Sequence, residues 1–257
     1  LLRMKESVKL NRISLTYQTP ETEIKALENV SFTVHEGEFV SVIGPSGCGK
    51  TSVLSIIAGL IKPSSGELIF GGNSKTSDSS IGYMLQKDEL FPWRTIEGNA
   101  YLPLEIKRDK DEKHRKIVEK LLKKYNLWEF RKSYPHELSG GMRQRAALIR
   151  TLASSPELLL LDEPFSALDY QTRLAVCDDV YDIIKSEQKT AILVTHDISE
   201  AIATSDKIVV LSSRPSKVVN IHYIDTDKSL TPLKRREEAG FSKWFERLWR
   251  ELNDEKK

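Results

Sequence analysis

The chain of 257 residues is 39% hydrophobic and 30% charged, which suits a soluble globular protein holding one large α/β domain or a core with a subdomain. Its 39 Lys and Arg stand against 37 Asp and Glu, a formal net charge of +2, so bulk electrostatics gives no reason to expect a nucleic-acid partner. Cys48 and Cys177 lack zinc or disulfide spacing, the N-terminus shows no charged-then-apolar leader, and no apolar run approaches the ~18 residues of a membrane span, so a cytosolic protein with two reduced thiols is expected.

Val8, Leu10, Ile13, Leu15 and Tyr17 alternate apart from a slip at Asn11-Arg12, which predicts a strand carrying a bulge. Ser31–Val34 and Phe39–Ile43 predict two strands around the turn Glu36-Gly37-Glu38, the second running into a glycine-rich loop. From Lys50 to Ile61 the apolar residues Val53, Leu54, Ile57, Ala58 and Ile61 keep helical spacing, and Pro63 is expected to end that helix. Glu67–Phe70 reads as a strand turning at Gly71-Gly72, and Ile81–Leu85 as a short buried strand ending at Gln86.

Between about 90 and 150 the strand runs give way to Lys, Glu and Leu, and Asp109 to Leu127 predicts a charged surface helix with Ile117, Val118, Leu121 and Leu122 facing inward. The α/β rhythm then returns. Leu158–Leu161, Ala191–Val194 and Ile208–Leu211 are continuous apolar strands, and 198–203 is helical. Such strands separated by helices indicate a parallel sheet covered on both faces. The tail from about Pro232 is highly charged, and Phe241, Trp244, Phe245, Leu248, Trp249 and Leu252 recur at the spacing of an amphipathic helix. That stripe either packs on the parent domain, lies on a membrane surface or meets a partner; the interspersed acidic residues count against adhesion to anionic lipid.

Three segments carry chemistry. Gly44-Pro45-Ser46-Gly47-Cys48-Gly49-Lys50-Thr51 satisfies the phosphate-loop pattern with a strand before it and a helix after it. Its glycines let backbone N–H groups face phosphate oxygens, Lys50 would reach the β and γ phosphates, and the Thr51 hydroxyl would hold Mg²⁺. Leu158-Leu-Leu-Leu161-Asp162 ends a buried strand on a carboxylate suited to Mg²⁺, and Glu163 follows where a general base would polarise water. The same Asp-Glu pair before Pro164 also suits a helix N-cap, and the two readings are compatible. Thr195-His196-Asp197 closes the next buried strand, at the active edge of a parallel sheet; His196 there is either structural or a contact for the γ-phosphate and its attacking water.

With Leu138-Ser139-Gly140-Gly141 added between the first two segments, the chain resembles the nucleotide-binding subunits of ABC transporters from about residue 8 to 215. The resemblance rests on the Walker A loop (44–51), the Q-loop Gln86, the signature 138–141, Walker B (158–162) with Glu163, the D-loop Ser166-Ala167-Leu168-Asp169 and the H-loop His196. It implies an α/β P-loop NTPase core with a mostly parallel sheet, an N-terminal antiparallel β subdomain and a helical subdomain inserted at about 87–150, all within an ATPase domain over 4–231, followed by an amphipathic helix at 232–257.

By the same resemblance, ATP and Mg²⁺ are held by residues 44–51 with Ser52, by Tyr17 against adenine, and by Gln86 together with Thr51 and Asp162 at the metal. Lys50, Gln86, Glu163 and His196 serve catalysis. Ser139, Gly140, Gly141 and Asp169 serve a nucleotide shared with a second copy of the chain, the two subunits meeting head to tail around two ATP. The family usually has Gln after the second signature glycine; here it is Met142, whose side chain the mechanism does not use.

The run Leu90-Phe91-Pro92-Trp93 soon after Gln86 is similar to importer ATPases for nitrate, sulfonates, taurine and related solutes. That implies separate membrane permease subunits docking near Gln86 to Thr95, a periplasmic or extracellular solute-binding protein acting indirectly, and a cytoplasmic site peripheral to the membrane. Phe91 and Trp93 are read either as that interface or as subdomain core. The competing reading is an ABC ATPase outside solute transport, linked to nucleic acid or regulatory; a single cassette, no sustained heptads and near-neutral charge speak against the first, and the presence of Glu163 and His196 against a regulatory subunit without hydrolysis.

Overall fold

The computed structural model describes residues 5–18, 20–71, 81–109 and 111–254. Gly72 of the expected turn, residue 4 at the expected domain start and residues 255–257 of the tail lie outside them. In chain order the elements are β1 (Glu6–Gln18), β2 (Glu23–His35), β3 (Phe39–Ile43), α1 (Lys50–Ile57), β4 (Ser65–Phe70), β5 (Ile81–Met84), α2 (Ile96–Ile106), α3 (Glu112–Lys124), α4 (Gly140–Leu152), β6 (Leu158–Asp162), α5 (Tyr170–Ser186), β7 (Thr190–Val194), α6 (Ile198–Thr204), β8 (Lys207–Leu211), β9 (Val218–Tyr223), α7 (Pro232–Arg235) and α8 (Ala239–Asp254).

Two sheets form. An antiparallel sheet has the order β2-β1-β4, and a six-stranded sheet has the order β5-β6-β7-β3-β8-β9. The larger sheet is parallel except for β9, which runs antiparallel to β8. The bulge expected in β1 is present: its register to β2 slips between Leu10 and Ile13. There Arg12 adopts a positive φ of 51°, and its N–H donates to Ser31 Oγ at 2.8 Å.

The continuous apolar strands bury both faces because successive side chains point to opposite sides. Leu159, Leu161, Ala191 and Leu193 enter one core, shared with α2 to α5. Leu158, Leu160, Ile192 and Val194 enter the other, beneath the antiparallel sheet and α1. Val118, Leu121 and Leu122 of α3 are buried, with Ile117 partly so, as the sequence predicts; Asp111 caps that helix, which spans less than the expected Asp109–Leu127.

Helix α1 is shorter than expected. It ends at Ile57 rather than Ile61, because Gly59 takes φ 73°. Its N–H donates to Ile56 O at 3.0 Å and that of Leu60 to Ser55 O at 2.9 Å, a left-handed glycine cap that satisfies the last carbonyls. Gly59, not Pro63, terminates the helix.

The tail stripe packs on the parent domain. Phe241 and Leu248 are buried, and Trp244 and Leu252 pack against the same cluster of α6 and β8 residues. The helix begins at Ala239, after the separate short α7 that starts at Pro232.

Candidate active site

Strand register places the three chemical segments on one edge. Val42 pairs with Val194, and Val194 with Asp162. The C-terminal ends of β3, β6 and β7 therefore deliver the phosphate loop, the Asp162-Glu163 pair and Thr195-His196 side by side, the crevice where parallel sheets bind ligands.

The loop geometry needs its glycines. Gly47 and Gly49 have φ of 73° and 108°, a region L side chains avoid. A Cβ on Gly44 would stand 2.8 Å from Cys48 Sγ and 3.0 Å from Leu211 O. Cys48 itself is buried in the loop, its carbonyl accepting a short hydrogen bond from Ser216 Oγ. The buried Lys50 donates from Nζ to Gly44 O at 2.9 Å and Pro45 O at 3.1 Å. Its hydrogen bonds go to two neutral carbonyls, and among the described residues it joins no direct ion pair, only a longer-range attraction to Asp162. A buried cation at a helix N-terminus is the chemistry that fits a phosphate.

Next to it, Thr51 Oγ1 donates to Asp162 Oδ1 at 3.1 Å, and Tyr83 OH donates to Asp162 Oδ2 at 3.2 Å. Burial pushes the Asp162 carboxyl above its ordinary value, against the two hydrogen bonds, with Glu163 pushing the same way. Burial, then the Asp162 charge, pushes the Tyr83 phenol up to about 12. A hydroxyl and a carboxylate, both hard oxygen donors beside the phosphate position, fit Mg²⁺, which takes one or two carboxylates plus substrate phosphates and water.

Glu163 occupies φ 45°, costly for a residue with a Cβ. Its N–H is held by Val194 O at 2.9 Å. Its Oε2 lies 3.1 Å from His196 Nδ1 and accepts from Gln86 Nε2 at 3.4 Å. Gln86 also donates to Ser166 Oγ at 3.3 Å, and Ser166 returns a bond to Glu163 O at 3.0 Å. The base, the glutamine and the histidine thus form one connected cluster. The His196 side chain stays 58% exposed while its backbone is fixed from both sides. Thr195 Oγ1 donates to the buried Glu200 at 2.7 Å, and Asp197 caps α6 through the Ser199 and Glu200 N–H groups.

Ser139 caps α4, accepting from Met142 N at 3.3 Å. A Cβ on Gly140 would lie 2.9 Å from Leu168, and one on Gly141 2.8 Å from Val176. Both glycines therefore also allow α4 to sit tightly on α5 and the segment before it. Asp169 caps α5 through Thr172 N at 3.1 Å, and the bond to Thr172 lowers its carboxyl below the ordinary range. Tyr17 shares a hydrogen bond with Ser52 Oγ at 2.9 Å. Phe91 and Trp93 stack with ring centroids 5.0 Å apart, and Trp93 is 71% exposed.

The ABC transporter family model matches residues 27–166. The chain is 48% identical over 246 residues to the uncharacterized ABC transporter ATP-binding protein YtlC of Bacillus subtilis, covering 95% of each. The chain belongs to the ABC transporter family. It is also 42% identical to the aliphatic sulfonates import ATP-binding protein SsuB of Bacillus cereus, covering 91% of each. A solved dimeric structure of the ATP-binding cassette MJ0796, in a post-hydrolysis state with ADP and Pi, matches at a TM-score of 0.72 and 34% identity, covering 86% of this chain and 100% of that one.

Within this ABC ATPase the single chain brings together Lys50, Thr51, Asp162, Glu163, Gln86 and His196. A cavity of about 740 Å³ opens over the phosphate loop, with Glu163 and His196 in its wall. Among the described residues lining it, none comes from Ser139, Gly140, Gly141, Asp169 or Tyr17. Sequence reasoning missed three parts of the site: Tyr83 as a donor to Asp162, Arg173, and the tail. Arg173 donates to Leu168 O at 3.1 Å and lies 3.6 Å from Asp197 Oδ2, tying the segment before α5 to the one carrying His196. Tyr83 had a signal of a kind, a hydroxyl three residues before Gln86 at a strand end; Arg173 and the tail had none.

Proposed function

We propose that this ATPase works as one of two copies meeting head to tail around two ATP, and that it drives uptake of a small solute of the sulfonate, nitrate or taurine kind through separate membrane permease subunits. The observation that carries the catalytic half is the convergence of Lys50, the Thr51–Asp162 pair and the Glu163–His196–Gln86 cluster on one sheet edge.

In this reading the phosphate-loop N–H groups and Lys50 bind the triphosphate. Thr51 and Asp162 would hold Mg²⁺, which would supply positive charge to offset that of the phosphates. Glu163, kept in place by Val194 and Ser166, takes a proton from the attacking water as that water bonds to the γ-phosphorus and ADP leaves. His196 and Gln86 orient the carboxylate and the water. Ser139, Gly140 and Gly141 of a second copy face the γ-phosphate held by Lys50. They line no part of this chain's cavity yet begin a helix, whose N-terminal N–H groups suit an anion. ATP then bridges the two copies, and hydrolysis releases them.

The exposed Phe91–Trp93 stack supports a permease contact on the helical segment at about 87–150, and the name of the SsuB relative supports the solute class. No helix among the described residues is long and apolar enough to cross a membrane; in this reading the membrane crossing belongs to the separate permease subunits. The test is ATPase activity of the chain co-purified with its permease, across candidate solutes with their binding proteins. Stimulation by a sulfonate, nitrate or taurine is the expected result; stimulation only by a solute of another class, or by none, refutes the assignment.

A further inference from the structure

The tail helix reaches the same cavity as the phosphate loop. Trp249, Leu252 and Asn253 of α8 line it together with Lys50, Glu163 and His196. Residues three and four apart share one helix face, so this is a face presented to the cavity. It adjoins the buried face of Phe241 and Leu248, with Leu252 packing against that cluster as well as lining the cavity. Polar ties hold α8 there. Trp244 Nε1 donates to Asp225 Oδ1 at 2.7 Å. Glu251 lies 2.7 Å from His222 Nε2 and accepts from Asn220 Nδ2. The His222–Glu251 pair is nearly buried, with side chains 4% and 14% exposed, so the last turns of the helix are fixed. Trp249 nonetheless stays 54% exposed while lining the cavity.

We propose that Trp249 and Asn253 are further nucleotide-binding residues at the γ-phosphate end of the site, so that the tail distinguishes ATP from ADP; this rests on the nucleotide site described above. Glu163 and His196 mark that end, and α8 reaches it by packing on α6, the helix that follows His196. The C-terminal end of a helix carries partial negative charge and repels phosphate. Attraction must therefore come from side chains. The indole N–H is a donor only, and the carboxamide of Asn253 offers two more donors. Leu252 and the indole ring add low-dielectric wall, which strengthens the pull of Lys50 on the same phosphate. The opposing helix charge keeps the net gain to about tenfold in affinity, the low end for hydrogen bonds to a charged group.

The experiment is calorimetric titration of the full chain with Mg²⁺ plus the non-hydrolysable analogue AMP-PNP, and with Mg²⁺ plus ADP, alongside intrinsic tryptophan fluorescence. The variants are Trp249→Ala, Asn253→Ala, Trp249→Phe, Glu251→Ala and, as control, Lys50→Ala. Trp249→Ala and Asn253→Ala should each weaken AMP-PNP about tenfold and ADP less than twofold. Glu251→Ala, which touches no part of the cavity wall, should give a smaller loss for AMP-PNP alone. AMP-PNP should change the fluorescence of the wild type, and Trp249→Phe should abolish that change. Wild-type affinities in the two alanine variants, equal losses for both nucleotides, or tighter AMP-PNP binding would overturn the proposal. Lys50→Ala separates the two levels: if it binds AMP-PNP like the wild type, the phosphate site itself is wrong.

Discussion

Replacing Asp162 by Asn should stabilise the nucleotide-free protein while ending catalysis. The carboxylate is buried beside Glu163, and burial raises its pKa above the ordinary value of 3.8. In the folded state its charge is therefore a cost, only partly offset by Thr51 Oγ1 at 3.1 Å and Tyr83 OH at 3.2 Å. An Asn of the same shape keeps the bond from Thr51, and Tyr83 can turn to accept from the new amide. What disappears is the buried charge and its repulsion with Glu163, together with a smaller attraction to Lys50, so the net effect should be a higher Tm for the variant.

The pH dependence has a definite sign. Below the unfolded value both states are protonated and the variant gains nothing. As pH rises from 3.8 through the raised folded pKa, the wild type loses stability relative to the variant, and the gap is complete above that point. The assay is thermal unfolding in chelator between pH 4.5 and 8, with and without Mg²⁺ and ATP, plus phosphate release. Mg²⁺ with ATP should stabilise the wild type far more than Asp162→Asn, and turnover should fall by about two orders of magnitude or more. A variant less stable than the wild type at pH 7 in chelator, or a gap that narrows as pH rises, would refute the reasoning.

Two further substitutions probe positioning and coupling. Arg173→Ala removes the link between Leu168 O and Asp197; kcat should drop about tenfold with KM nearly unchanged, since the residue touches no cavity atom and acts through the placement of His196, and an unchanged kcat would show the link to be idle. Trp93→Ala removes a 71% exposed ring, so basal ATPase and Tm should hold while transport by the reconstituted complex falls; equal loss of both would place Trp93 in the core.

Much of the fold was legible because strand burial writes itself into local sequence. Leu158 to Leu161 alternate between two cores, so the run had to be apolar throughout, and its final Asp162 marked the active edge. The strand ends at 43, 162 and 194 needed only this logic to bring three motifs together. Helix ends were harder: Ala58-Gly59 stops α1 by a backbone cap that the apolar spacing up to Ile61 masked. Side-chain partners far apart in sequence were harder still. Tyr83 to Asp162 spans 79 residues; its place shortly before Gln86 hinted at the site, but not at the carboxylate it meets. The tail stripe announced a helix but not its two uses. Phe241 and Leu248 fill the core as periodicity predicts, whereas Trp249 lines the cavity over the phosphate loop, on a helix end held by the Glu251 contacts.

The most direct measurement of the shared-site mechanism is the oligomeric state of Glu163→Gln by sedimentation velocity with and without Mg²⁺ and ATP. The carboxamide retains contacts to His196 and Gln86 but cannot take a proton from water, so ATP should persist and hold a stable dimer of about 59 kDa, twice the 29.3 kDa chain, while ADP leaves the protein monomeric. A Glu163→Gln protein that hydrolyses ATP at the wild-type rate would contradict the base assignment, and one that stays monomeric while ATP is demonstrably bound would contradict the role of the γ-phosphate as the bridge between copies.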